Sequence, residues 1–85
     1  MKEHIFRKEF GKRVRLARKE AHLTQKELHH ELLKLGIKFD SSCISKIESG
    51  IRKTLDYELL ALSVILSKSI NWFFDFENEH YETSD

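Results

Sequence analysis

The chain has 85 residues, with three glycines, no proline, 34% charged residues and a formal net charge of +1. That length holds one domain at most and buries only about 60% of the unfolded surface, so the core is small. No apolar run approaches the ~18 residues that span a bilayer. The opening MKEHIFRKEFGKR lacks the apolar middle of a secretory leader, and the single cysteine, Cys43, forms no internal disulfide. Together these predict a cytoplasmic chain.

Scarce proline and glycine favour helices over strands and turns. The first helix is predicted over about 4 to 21, where Phe6, Phe10, Val14, Ala17 and Ala21 form one stripe of a 3.6-residue period. Gly11 interrupts it at about 1 kcal/mol relative to alanine. Thr24-Gln25-Lys26-Glu27 then reads as a capping box, with Leu23 placed to staple onto Leu28. Leu28, Leu32 and Leu35 continue an apolar face to Gly36, a C-terminal cap, which puts the second helix at 25 to 35.

A short connector, Gly36 to Phe39, leads to a third helix over 41 to 49, capped by Asp40 or Ser41 and ended by Gly50. Thr54 or Asp56 opens the fourth. There Leu55, Leu59, Leu62 and Leu66 keep helical spacing, and Leu60, Val64 and Ile65 widen the stripe, predicting the most buried helix of the set. Ser69 caps a last short helix over Ile70 to Phe74, with Trp72, Phe73 and Phe74 closing the core. The remainder, from Asp75, is acidic and is expected to fray.

Charge is unevenly placed. Residues 1 to 53 hold fourteen of the fifteen Lys/Arg and seven of the fourteen Asp/Glu, whereas residues 54 to 85 hold one lysine and seven acids. A basic first part predicts a surface for a polyanion, although charge alone does not separate nucleic acid from an acidic protein. Catalysis is not expected. His4, His22, His29, His30 and His80 are scattered without HxxxH or CxxC spacing, so no metal or cofactor is implied.

A capped helix, a turn and a second helix with two isoleucines three apart form the pattern of a helix-turn-helix. The pieces around it have a familiar order: Gly11, Val14 and Ala17-Arg18; LTQKEL at 23 to 28; ISKIESG at 44 to 50; DYELLALSVIL at 56 to 66; SINWFF at 69 to 74. This order resembles the Cro and lambda-repressor-like helix-turn-helix family of transcriptional regulators. Three features depart from the family pattern: a longer connection between the second and third helices, His29 where a small residue is usual, and Ser67-Lys68 in place of a glycine and an apolar residue.

The resemblance implies an all-α, compact five-helix domain over residues 1 to 76 and an acidic tail over 77 to 85. It implies sequence-specific binding of double-stranded DNA by a repressor, with helix 41–49 in the major groove. Ser41, Ser42, Cys43, Ser45 and Lys46 take the base-reading positions, and Ser49 shares their face. Lys46 is matched to guanine, and Cys43 to a thymine methyl group. Gln25 is implied at the sugar-phosphate backbone, and Lys26, Lys38, Arg52 and Lys53 are exposed candidates for phosphates. Arg18 and Glu48 correspond to a partly buried ion pair of the family that positions the reading helix. A homodimer through the last helix and tail is expected, and no small-molecule effector. The rival expectation is a protein-interaction module, such as an antitoxin or adaptor, acting through a protein partner.

Overall fold

A computed structural model describes residues 2–76 of the chain. The helical periodicity is realised in α1 (Glu3–Glu20), α2 (Gln25–Lys34), α3 (Cys43–Glu48) and α4 (Asp56–Leu66), followed by a 3-10 turn over Asn71–Phe74. No strand forms among the described residues. The class is therefore all-α, but with four α-helices and one 3-10 turn in place of five helices. Among the described residues, no helix is long and apolar enough to cross a membrane. Fraying from Asp75 is corrected at Phe76, which is buried with its ring 5.4 Å from that of Phe6, while the expectations placed on residues 77 to 85, a frayed tail and its part in a dimer, lie outside the described residues.

In α1 the middle of the predicted stripe is buried, with Phe10, Val14 and Ala17 in the core. Its ends, Phe6 and Ala21, lie exposed. The glycine in this helix is explained by α3. A Cβ on Gly11 would lie against the carbonyl oxygen of Ile47 and 2.5 Å from that of Glu48. The two helices therefore meet backbone to backbone where no side chain fits.

All four helices end in the same way. One or two residues past the last helical residue the backbone turns left-handed, and the next N–H reaches back five residues to a helix carbonyl, a Schellman closure. Gly36 and Gly50 take this place after α2 and α3, at φ 85° and 84°. After α1 and α4 it is taken by His22 and Ser67, at φ 59° and 56°. The Leu23 N–H bonds to Arg18 at 3.1 Å, and the Lys68 N–H to Ser63 at 3.1 Å. Ser67 thus makes the turn without glycine, at the strain of a left-handed non-glycine residue.

The capping box of α2 forms in both halves: Thr24 Oγ1 accepts from the Glu27 N–H at 3.0 Å, and Glu27 Oε1 from the Thr24 N–H at 2.8 Å. Leu28 and Leu32 are buried, but Leu35 caps the helix and is exposed, contrary to the apolar stripe. The Schellman turn brings Ile37 back instead, with its N–H 3.0 Å from the Leu32 carbonyl. Ile37 fills the core place expected of Leu35. The long connection then runs inward rather than over the surface, since Phe39 is also buried. His29 Nε2 lies 2.8 Å from the Phe39 carbonyl oxygen and donates to it, so the larger residue at this position fastens the connector.

The fourth helix starts at Asp56, one of the two starts expected, and its N-cap is Leu55. Leucine has no side-chain acceptor, so only the returning half of a box exists: Glu58 Oε1 accepts from the Leu55 N–H at 2.8 Å. Contrary to expectation, α4 is not the most buried helix. Ala61, Leu62 and Leu66 enter the core, whereas Tyr57, Leu60 and Val64 form an exposed stripe, with Val64 64% exposed. The last segment packs back on α1. Phe73 is fully buried, the Phe74 ring lies 5.4 Å from that of Phe10, and Ser69 Oγ accepts from the Trp72 N–H at 3.2 Å. The Arg13 guanidinium lies 3.8 Å over the Trp72 ring and also donates to the Trp72 carbonyl oxygen at 2.7 Å.

Candidate nucleic-acid interface

The predicted third helix ran from 41 to 49, but α3 is two residues shorter at its start. Asp40 explains the difference. Its Oδ1 accepts from the Ser42 N–H at 3.1 Å, the Ser42 hydroxyl at 2.9 Å and the Cys43 thiol at 3.4 Å. This side-chain turn satisfies the entry and holds Ser41 and Ser42 outside the helix. The Ser42 hydroxyl, the Cys43 thiol and the Ser42 N–H, in that order, hold the Asp40 carboxyl below the ordinary carboxylate range.

Two faces follow. Cys43, Ile44, Ile47 and Glu48 point into the protein, and Ser41, Ser45, Lys46 and Ser49 lie exposed, with Ser42 half-buried. Cys43 is thereby corrected: it belongs to the core cluster and is withdrawn from any groove. The serine donors are already used at three places. Ser42 donates to Asp40, Ser45 Oγ to the Ser42 carbonyl oxygen at 3.0 Å, and Ser49 Oγ to the Lys46 carbonyl oxygen at 3.2 Å.

A buried polar cluster fixes this helix. Arg18 Nε lies 2.6 Å from Glu48 Oε2, and Arg18 Nη2 lies 3.1 Å from Oε1. Arg18 Nη1 also donates to the Leu23 carbonyl oxygen at 2.8 Å, tying the α1–α2 turn into the same cluster. Gln25 Nε2 donates to Glu48 Oε1 at 3.0 Å. Gln25 thus spends one of the two N–H donors of its side-chain amide within the protein. The orphan N–H groups of the first turn of α2 lie beside it, as at any helix start.

The basic candidates divide. Lys26 and Lys38 are exposed. Lys53 is exposed and ion-paired with Glu3 at 3.1 Å. Arg52 is not a spare cation: it grips Glu58 with two bonds of 2.8 and 2.9 Å, donates to the Lys53 carbonyl oxygen, and lies 4.8 Å over the Phe39 ring. Glu58 is only 2% exposed. Burial opposes its charge, yet Arg52 and the Leu55 N–H outweigh burial and hold its carboxyl below the ordinary value. Sequence reasoning missed this pair, because six residues separate its members across a turn and no periodicity links them. It also missed Arg7, whose Nε donates to the Gly50 carbonyl oxygen at 3.0 Å and anchors the end of α3 to α1.

Comparison with protein-family models, with curated proteins and with solved structures finds no match to this chain.

Proposed function

We propose that the chain is a small, sequence-specific DNA-binding protein of the Cro and lambda-repressor-like helix-turn-helix class, acting as a transcriptional repressor. In this proposal α3 and the two serines before it enter the major groove of duplex DNA. One observation carries it: α3 buries one face through Ile44 and Ile47 and leaves Ser45, Lys46 and Ser49 outward, so its exposed side is narrow, short and polar. Small side chains let a helix backbone sit deep in a groove. A helix with this division, locked by Arg18, Glu48 and Gln25, supports rigid presentation to a ligand surface.

The chemistry of recognition follows from the hydroxyls. Their protons already serve Asp40 and helix carbonyls, so the oxygens face outward as acceptors. They favour the amino groups of cytosine or adenine, and Lys46 supplies the donor for guanine. Lys26, Lys38 and Lys53 supply phosphate contacts. Serine makes no bidentate pair, so phosphates and DNA shape carry much of the affinity. Two copies bound to neighbouring half-sites complete the proposal, since one such helix covers only a few base pairs.

Selection of bound sequences from random duplex DNA tests this reading. An enriched motif with two half-sites about 10 base pairs apart is expected. The exposed stripe Tyr57, Leu60 and Val64 supports the second reading, a protein-interaction module. Salt separates the two: DNA binding through Z phosphates gives a log–log slope of about −0.9Z, and a protein partner a much shallower one.

A further inference from the structure

The start of α1, the α3–α4 connection, the first turns of α4 and the 3-10 turn line an open cleft of about 270 Å³. That is just below the ~300–1,000 Å³ typical of small-molecule sites. Its apolar wall is made by Phe6, Phe10, Leu59 and Phe74. Phe6 remains 38% exposed at the end of a helix whose neighbouring aromatic rings are better covered. Arg7 and Lys53 stand on the rim. Thr54 also lines it, and its Oγ1 is buried with no hydrogen-bond partner among the described residues. A buried hydroxyl left in this way is destabilising, and it is uncommon enough in folded proteins to need a reason.

We propose that this cavity is a binding site for a small carboxylate carrying an apolar ring. The protein already shows how the acid end would be held. The Glu3 carboxylate lies 2.7 Å from Arg7 Nη1 and 3.1 Å from Lys53 Nζ, at the mouth of the cavity. Its side chain is 61% exposed, so it leaves for water at little cost. A ligand carboxylate takes its place between the two cations, its ring lies against Phe6 and Phe74, and rotation about Thr54 χ1 turns the hydroxyl toward the ligand oxygen. Charge, aromatic surface and an unused donor then meet their complements in one molecule. The same rim bears on α3, because Arg7 also holds the Gly50 carbonyl oxygen through Nε. The site does not depend on whether α3 binds DNA.

The test is a titration of the full 85-residue protein with 3-phenylpropanoate, followed by amide shifts in two-dimensional NMR, with 3-phenylpropan-1-ol as the neutral control. Saturable shifts at Phe6, Thr54 and Leu59 are expected for the acid, with binding at least about tenfold weaker for the alcohol. Lys53→Gln weakens the acid about tenfold, and Glu3→Gln, which removes the internal competitor, tightens it. Thr54→Val raises thermal stability and weakens binding, an opposition that a purely structural threonine would not produce. Absence of saturable shifts in the folded protein, equal binding of the alcohol, or unchanged affinity in Lys53→Gln overturns the proposal.

Discussion

Arg18 on α1 and Glu48 on α3 stand thirty residues apart and meet through two hydrogen bonds of 2.6 and 3.1 Å, both partners buried. Such a pair contributes less by its attraction than its loss removes, because either ion left alone is stranded without water. Glu48→Ala is expected to lower unfolding free energy by about 3–5 kcal/mol. The double variant Arg18→Met, Glu48→Leu should recover most of that. Urea unfolding of the two variants measures it, and a double variant no more stable than Glu48→Ala would contradict the assignment.

Gly11→Ala should destabilise although alanine is the better helix former. The gain of about 1 kcal/mol in propensity is opposed by a methyl group driven into the carbonyls of Ile47 and Glu48. Backbone cannot rotate out of the way as a side chain can, so α3 must shift, at a typical overpacking cost of about 1–3 kcal/mol. The midpoint of urea unfolding decides. If DNA binding is the function, this variant also loses sequence preference, because the reading helix is displaced.

His22 and Ser67 carry left-handed backbone without glycine's freedom. Replacing either by glycine should raise stability by about 1 kcal/mol, less the added entropy of the unfolded chain. Both sites close a helix at its C-terminal end, on α1 and on α4. A fall in thermal midpoint on Ser67→Gly would mean that the α4 closure relies on the serine itself.

Acid should weaken the fold through Glu58. Its folded-state carboxyl is held below the ordinary value, so the group binds fewer protons folded than unfolded. Its contribution is present above the unfolded value of about 4.3 and is lost as pH falls through the lower, folded one. Glu58→Gln should cost about 1–3 kcal/mol at neutral pH and should flatten the acid limb of the stability profile. Arg52→Ala exposes the same dependence from the other side and lowers stability as well as any DNA affinity. A Glu58→Gln protein with the parent's acid profile would refute the pairing.

Lys46→Ala tests the proposed readout directly. Preference at one base position is expected to relax by about 1–3 kcal/mol, with the rest of the motif retained. Lys26→Ala should instead weaken all sequences alike and reduce the salt slope by about one. Identical enriched motifs for the parent and Lys46→Ala would remove Lys46 from the reading surface.

The elements legible in the sequence are those whose signals are local. Thr24 and Glu27 announce their own helix start, Gly36 and Gly50 their own ends, and Phe10, Val14 and Ala17 their common face. Cys43 was legible too, since it stands four residues before Ile47 and so on the same inward side, but its small size suggested a groove contact. The orientation of α4 was not legible. LLALSVIL is apolar almost all round, so periodicity cannot choose a side, and the choice fell to Glu58 and its pairing with Arg52. Leu35 failed for a related reason: only the three-dimensional closure after α2 decides whether it or Ile37 turns inward. The cavity below Phe6 left no trace in the sequence, because it is assembled from three distant segments, and Thr54 stands out only once it is seen to lack a partner.

Trp72 is the chain's one tryptophan and lies under the Arg13 guanidinium, with Lys68 Nζ 4.6 Å from its ring. The Arg13 guanidinium must leave when α1 and the 3-10 turn part, whereas Lys68 lies on the turn's own side of that seam. The emission of a single indole therefore changes as the two ends of the domain separate, and the protein carries its own optical probe of that seam, without a dye or an added label.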